Sequence, residues 1–308
     1  MRLALVLGVL GLLVVVSPVW ATFPGRNGLL AFSAYSESEE SSEPVIEGTF
    51  VGIARIPGGP RHIFATGWTP AFSPDGRRLA YAKRDERGIW LTRPDCRWPR
   101  NRAVPLPCSR LRRLTRGDDY SPAWSPDGKR IAFERSGDRL GIHSVRVRGG
   151  GRHFVARGYA PDWSPAGALA FTEIDGVGIA VREPGGRIRT VTATGSEPSW
   201  APSGDRLAFT DYDVAANRFA LYVVNADGSG LRKLWTGQRG DTQPVSPVWA
   251  PDGRSIAFIK ALAAGFTGPV YVIKPSGRGL RMLMRTPPDC RLCSKGLAFD
   301  SITWQALR

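Results

Sequence analysis

The sequence predicts an all-β fold, a six-bladed β-propeller built from four-stranded antiparallel blades. Three observations support this prediction: a recurring phrase, many turn-forming residues, and complementary half-repeats at the two chain ends. The phrase reads PAWSPDGKRIAF at residues 122–133, and a repeated unit of this kind is typical of repeat architectures. The 308 residues include 36 Gly and 25 Pro, which suits many short strands and tight turns.

Each copy of the phrase predicts a strand, a tight turn and a second strand. The other copies occupy residues 70–81, 161–171, 198–209 and 247–258. Within the turn, proline fixes φ and glycine takes a positive φ, which suits a type I turn with a bulge. We therefore interpret Asp75, Asp127 and Asp252 as turn residues rather than as metal or catalytic carboxylates.

A sixth copy is divided between the two ends of the chain. Residues 301–304 end on Trp304 without a following strand, whereas Leu30-Ala31-Phe32 form a second strand that no aromatic strand precedes. We expect the C-terminal strand to pair with the N-terminal strands, which closes the ring and holds both termini in place.

Two further strands are predicted after each copy of the phrase. The third strands are expected at 50–56, 88–92, 140–147, 176–182, 219–225 and 269–274. The fourth strands are expected at 61–65, 109–115, 152–156, 187–193, 231–235 and 280–284. Four strands in each of six units predict the propeller.

The phrase WSPDGKRIAF resembles the WD-like repeats of the TolB family of periplasmic propellers, and the resemblance covers residues 22–308. It implies a protein-binding propeller whose partners meet the mouth of a central channel. The family pattern also includes an N-terminal α/β domain, which carries part of the Tol–Pal partner network. Here the repeats are predicted to start directly after a leader, so the resemblance does not extend to that domain.

The leader is predicted at residues 1–21. Arg2 precedes an unbroken apolar run at 3–16, and Val19-Trp20-Ala21 resembles a small-x-small cleavage site, so we expect a signal peptide cleaved after Ala21. An uncleaved anchor is the alternative. Residues 22–308 contain no second long apolar stretch, so this propeller domain is expected to be a soluble monomer without a membrane span. The expected location is secreted, periplasmic or in the cell envelope.

The four cysteines are interpreted as structural. Cys96 and Cys108 flank an insertion and are predicted to form a disulfide in an oxidising compartment. Cys290 and Cys293 form a single C-x-x-C, for which a local disulfide is preferred over a redox site. Disulfides that join a cysteine of one loop to a cysteine of the other loop are an open alternative. A zinc site is not predicted because no second pair is adjacent in sequence.

No catalytic, metal or cofactor site is predicted. The three histidines, His62, His143 and His153, lie on outer strands and are not expected to converge on the channel. The chain has no Gly-x-Ser-x-Gly elbow. The sequence therefore favours a non-catalytic binding or scaffold propeller for a protein, peptide or envelope ligand. An extracytoplasmic carbohydrate-active enzyme, a lyase or hydrolase, is the alternative.

The predicted binding site lies four residues before each anchor aromatic, the residue that ends the first strand of a copy, where inner strands reach the channel mouth. The anchor aromatics are Phe72, Trp124, Trp163, Trp200, Trp249 and Trp304. Aromatic side chains edged by carboxylates suit binding of a peptide or glycan, whereas packing between blades is the structural alternative. The candidate binding residues are Trp68, Asp118, Asp119, Tyr120, Tyr159 and Glu197.

The charge pattern allows a second kind of partner. The net charge is +15, and the fourth strands are rich in arginine, which protects outer edges from pairing with other chains. The same residues would attract an anionic envelope polymer or an acidic partner in a salt-sensitive way. Nucleic acid is not expected outside the cytoplasm. The acidic run at 37–47 is interpreted as a solvated loop.

Overall fold

A computed structural model confirms the predicted all-β propeller. It describes residues 24–36, 48–55, 61–83, 85–94, 110–137, 139–174, 178–237, 242–262, 268–285 and 298–307. In these ranges the chain forms six four-stranded sheets. None of their elements is a helix long and apolar enough to cross a membrane. The leader at 1–21, the acidic run at 37–47 and all four cysteines, Cys96, Cys108, Cys290 and Cys293, lie outside the described residues.

The six blades follow one another along the chain. Blade 1 contains β1 (Arg26–Ser36), β2 (Gly48–Arg55), β3 (Arg61–Thr66) and the last strand, β24 (Ala298–Leu307). Blade 2 contains β4 (Trp68–Phe72), β5 (Leu79–Lys83), β6 (Gly88–Thr92) and β7 (Arg112–Arg113). Blade 3 contains β8 (Asp119–Trp124), β9 (Arg130–Arg135), β10 (Gly141–Arg146) and β11 (His153–Ala156).

The second half of the chain repeats this order. Blade 4 contains β12 (Gly158–Trp163), β13 (Leu169–Glu173), β14 (Ile179–Arg182) and β15 (Ile188–Thr192). Blade 5 contains β16 (Ser196–Trp200), β17 (Arg206–Asp213), β18 (Arg218–Asn225) and β19 (Arg232–Thr236). Blade 6 contains β20 (Thr242–Trp249), β21 (Ile256–Leu262), β22 (Val270–Ile273) and β23 (Arg281–Met284).

The predicted closure of the ring is confirmed. Blade 1 has the order β24-β1-β2-β3, so its innermost strand comes from the C-terminus and its other three from the N-terminus. Leu30 pairs with Trp304, and Phe32 pairs with Ile302. The two half-repeats therefore meet in the register that the repeated phrase requires.

The aspartates of the phrase have the predicted role in the turns. In blade 3 the amide of Gly128 donates to the carbonyl of Ser125 over 2.8 Å, and Gly128 has φ 65°. Asp127 accepts a hydrogen bond from the Ser125 hydroxyl at 2.7 Å and from the amide two residues further on at 3.0 Å. Asp75 and Asp252 accept the corresponding backbone hydrogen bond. Turn geometry thus accounts for all three carboxylates.

The second strand of every blade is buried on both faces. Its Leu/Ile-Ala-Phe/Tyr triplets, from Leu30-Ala31-Phe32 onward, are at most 1% exposed. The small central residue leaves room for the neighbouring blade: Ala80 lies in one apolar cluster with Trp124 and Phe133. The guanidinium of Arg78 lies 4.6 Å from the Trp124 ring centre. Blade-on-blade packing therefore explains why these strands do not alternate between apolar and polar residues.

One fourth strand is much shorter than predicted. The sequence predicts a strand over 109–115, whereas β7 spans only Arg112–Arg113. The amides of Leu114 and Thr115 both point to the carbonyl of Ile89, and the Thr115 hydroxyl accepts the Ile89 amide at 2.9 Å. A side chain thus replaces a ladder bond at this edge.

Gln305 should contribute strongly to closure of the ring. Its side chain accepts the amide of Leu29 at 3.0 Å and donates to the buried carbonyl of Gly76 at 2.8 Å, so it links β24 to β1 and to the next blade. We expect Gln305→Ala to lower the free energy of unfolding in a urea titration by about 2 kcal/mol. Leu307→Ala, on the same strand but 41% exposed, is the control and should change it by less than about 1 kcal/mol. Equal effects would show that the two hydrogen bonds do not secure the ring.

Candidate functional site

The central channel forms the main candidate site. The first strands of all six blades, β4, β8, β12, β16, β20 and β24, line a cavity of about 480 Å³. Trp68 and Tyr120 stand at the end where these strands begin, which we call the mouth. Ser301 and Thr303 of the C-terminal strand complete the wall. Ring closure therefore completes the cavity as well as the fold.

Every first strand in blades 2 to 6 contains a β-bulge, which the sequence did not predict. In blade 2, for example, Trp68 pairs with Ala82 and Ala71 pairs with Ala80, so the inner strand holds one extra residue. The residue before the strand proline adopts a left-handed backbone, which is uncommon outside glycine. The five residues, with φ between 46° and 56°, are Thr69, Ser121, Ala160, Glu197 and Ser246.

Side chains of the preceding blade bind the amides that these bulges release from the sheet. In four of the five bulges a side chain of the preceding blade accepts the hydrogen bond of the released amide. The bonds run from Ser121 to Thr69 Oγ1 (3.1 Å), from Ala160 to the Glu134 carboxylate, from Glu197 to Thr172 Oγ1 (3.1 Å) and from Ser246 to Glu197 Oε2 (2.7 Å). Each bulge therefore connects two blades at the channel wall.

The structure brings two of the predicted aromatic residues together at the mouth. The rings of Trp68 and Tyr120 lie 6.0 Å apart, centre to centre, with a 50° tilt, and both line the cavity. Tyr159 is 36% exposed but does not line the cavity. Its phenol is hydrogen-bonded to Thr172, and burial, with a smaller effect of the Glu197 charge, raises the pKa of Tyr159. The aromatic surface of the mouth thus comes from two blades.

The three predicted acidic residues have different surroundings. Asp118 is half-buried and lies 3.3 Å from the guanidinium of Arg87. Asp119 is buried and accepts two hydrogen bonds from Arg135, at 2.6 and 2.8 Å, so it fastens β8 to β9 and does not line the cavity. Glu197 lines the cavity. We therefore retain Trp68, Tyr120 and Glu197 as the core of the site.

Asp162 is a cavity residue that the sequence reasoning missed. Its Oδ2 atom accepts the amide of Trp200 at 2.7 Å, and burial raises the pKa of Asp162 to about 7. Asp162 directly precedes the anchor aromatic, and the equivalent residue is uncharged in every other copy. This difference in charge could have identified Asp162 from the sequence. The equivalent residues are Ala71, Ala123, Ser199, Val248 and Thr303.

Two carboxyl groups of neighbouring blades thus border the same cavity. Burial raises the pKa of Glu197 as well, although its hydrogen bond from the Ser246 amide opposes this. Asp162 and Glu197 can therefore hold protons nearer neutral pH than ordinary carboxyls do. Among the described residues, no group of three or more His, Cys, Asp or Glu side chains is arranged to hold a metal ion.

Comparison with known proteins identifies the fold. No family model and no curated protein matches the sequence. TolB from Acinetobacter baumannii aligns with 92% of this chain and 68% of its own at 16% identity, with a TM-score of 0.70. A chain of the nidogen/laminin complex aligns with 90% of this chain and 98% of its own at 13% identity, with a TM-score of 0.61. The chain therefore shares the β-propeller fold of TolB.

Replacing Asp162 should stabilise the protein at high pH. The folded state favours the protonated carboxyl of Asp162. The stability that this protonation contributes is complete below the ordinary pKa of 3.8 and is lost as the pH rises to about 7. Such a shift corresponds to about 4 kcal/mol, which solvent in the cavity reduces. We expect Asp162→Asn to raise the free energy of unfolding at pH 8 by about 2 kcal/mol.

The measurement is a series of urea titrations of both proteins between pH 4 and pH 8. The gain of the variant should disappear towards pH 4, where the wild-type carboxyl is protonated. Asp118→Asn, on the exposed side of the mouth, is the control. A gain for Asp162→Asn that is the same at every pH would contradict the assignment.

Proposed function

We propose that the chain is an exported, non-catalytic propeller that binds a protein or peptide segment at the mouth of its channel. The observation that supports this best is the Trp68–Tyr120 pair at the rim of a cavity of about 480 Å³. Large aromatic side chains at the centre of a concave surface dominate the binding energy of many interfaces. The proposed location in the periplasm, envelope or medium rests on the predicted leader at 1–21.

The wall of the cavity favours a ligand with a cationic or amide-rich side chain. Asp162 and Glu197 offer carboxyl oxygens below the aromatic rim, and their raised pKa values reflect burial, which no cation of the described residues offsets. A lysine or arginine of the ligand would supply that cation and favour ionisation of both groups. The nidogen/laminin complex is a precedent for a propeller of this shape within a protein complex.

An enzyme acting on carbohydrate is the second candidate, and one observation favours it. Asp162, with a pKa of about 7, and Glu197 border one cavity, and glycoside hydrolysis uses two carboxyl groups of which one stays protonated. Both carboxylates, however, already accept backbone amides of the next blade, those of Trp200 and Ser246. Since these hydrogen bonds give both groups a structural role, we favour binding.

Selection of a random peptide library on the purified protein tests the proposal. A selected peptide is then synthesised and its affinity for the protein and its variants is measured by calorimetry. We expect Trp68→Ala and Tyr120→Ala each to weaken binding by about tenfold or more, because each removes a rim aromatic. Phe154→Ala is the matched control, since Phe154 is 53% exposed on an outer strand.

Two results would contradict the proposed function. The first is a set of peptides whose binding is unchanged by either rim substitution. The second is turnover of polysaccharide, measured as newly formed reducing ends or unsaturated uronates, that Asp162→Asn abolishes. The second result would establish the enzymatic alternative instead.

A further inference from the structure

The two ends of the propeller differ in charge. Each blade is an antiparallel meander, so the turns between first and second strands and those between third and fourth strands lie at the same end. We call this end the turn face and the opposite end the mouth face. Direct contacts confirm the grouping: Arg78 reaches the carbonyl of Gly128 at 3.4 Å, and Arg130 reaches that of Gly151 at 2.8 Å.

The turn face is basic. Blade 3 presents four exposed cations there, Lys129, Arg146, Arg148 and Arg152. Blade 6 presents another four, Arg254, Lys274, Arg278 and Arg281. Crowding is visible in blade 3, where burial and the nearby charge of Arg146 lower the pKa of Arg130 more than the charge of Asp127 raises it.

Carboxylates do not balance these cations. Most acidic side chains described on the turn face belong to its tight turns, where Asp75, Asp127, Asp227 and Asp252 each accept a backbone amide. Three ion pairs also occur on the turn face, Lys129–Asp127, Arg189–Glu183 and Arg206–Asp205, but the cations of blades 3 and 6 outnumber the carboxylates of the same turns. On the mouth face the two charges are more evenly matched, as in the pairs Arg87–Asp118 and Lys83–Glu86. The excess positive charge of the described chain is therefore concentrated at one end.

Exposed apolar side chains occur beside the cations of the turn face. They recur where the outermost strand begins, in four blades. The exposed residues are Leu111 (37%), Ile188 (45%), Leu231 (58%) and Leu280 (41%). Each is adjacent in sequence to an arginine: Arg112, Arg189, Arg232 and Arg281 respectively. One exposed leucine needs no explanation, but the same arginine-flanked position in blades 2, 4, 5 and 6 forms a partial ring.

We propose that the turn face docks on an anionic lipid bilayer. Arginine and lysine side chains on a broad end surface suit a planar array of phosphates, and leucine and isoleucine suit the boundary between headgroups and acyl chains. A single polymer strand would be better matched by a groove. Neither the channel nor the hollow beside His143 and Phe154 is lined by the apolar residues of this partial ring.

This docking surface is independent of the ligand bound at the mouth. With the turn face on a bilayer, the Trp68–Tyr120 rim points away from the lipid, so both surfaces can be occupied together. Loss of peptide binding and loss of lipid binding are therefore separate results, obtained with different variants.

Sedimentation with vesicles tests the proposal. The purified protein is mixed with phosphatidylcholine vesicles that contain or lack phosphatidylglycerol, at about 0.1 M and about 0.5 M salt. We expect binding only to the anionic vesicles and mainly at the lower salt concentration. The triple variant R146Q/R148Q/R152Q should weaken binding about 100-fold, which follows from the usual contribution of each basic residue near an anionic surface.

Two further variants make the test specific. R116Q/R139Q/R285Q removes the same charge from exposed arginines of the mouth face and should bind as the wild type does. Leu231→Ser together with Leu280→Ser should weaken binding about tenfold at both salt concentrations, because it removes apolar burial rather than charge. Thermal melting confirms that each variant is folded.

Three outcomes would overturn the proposal. The first is the absence of binding to anionic vesicles at the lower salt concentration. The second is an equal loss in both triple variants, which would reflect net charge alone. The third is full competition by a soluble polyanion such as dextran sulfate with no effect of the leucine substitutions, which would assign the face to an anionic polymer.

Discussion

The structure depends on how its blades are joined at the channel wall. An extra residue in each first strand of blades 2 to 6 releases an amide from the sheet, and a buried amide without an acceptor is costly. In four of these blades a side chain of the preceding blade accepts a hydrogen bond from the released amide, as Thr69 Oγ1 does from the amide of Ser121. These hydrogen bonds point around the ring in one direction. Gln305 then links the closing blade to the next, so the ring is held by directed bonds as well as by apolar packing.

The same bulges shape the candidate site. Glu197 donates its amide to Thr172 and accepts the amide of Ser246, so one residue connects three consecutive blades while its carboxylate borders the cavity. Asp162 similarly holds the amide of Trp200. Stability and the proposed ligand recognition therefore depend on the same carboxyl groups.

The fold could be predicted from the sequence because its determinants are local and repeated. Turn geometry needs proline and glycine at fixed places, and the divided sixth copy predicted the pairing of Leu30 with Trp304. The bulges could not be predicted, because the residues at the left-handed position are Thr, Ser, Ala and Glu. They share no property, such as that of glycine, that would indicate a left-handed backbone. The role of Asp119 was equally hidden, because its partner Arg135 lies on another strand. Asp162, in contrast, was visible as the one charged residue among equivalent positions.

Repetition also explains why the two ends of the molecule differ. Every copy of the phrase places its turn at the same end of the ring, so the residue that follows the turn glycine is displayed on one face. In several copies that residue is basic, as with Arg77, Lys129 and Arg254. Each turn aspartate directs an oxygen at a backbone amide, and the cations that follow the glycines are exposed. A feature that turn geometry requires thus sets the position of a charged surface, while the bulges line the channel whose mouth, at the opposite end, is the proposed binding site.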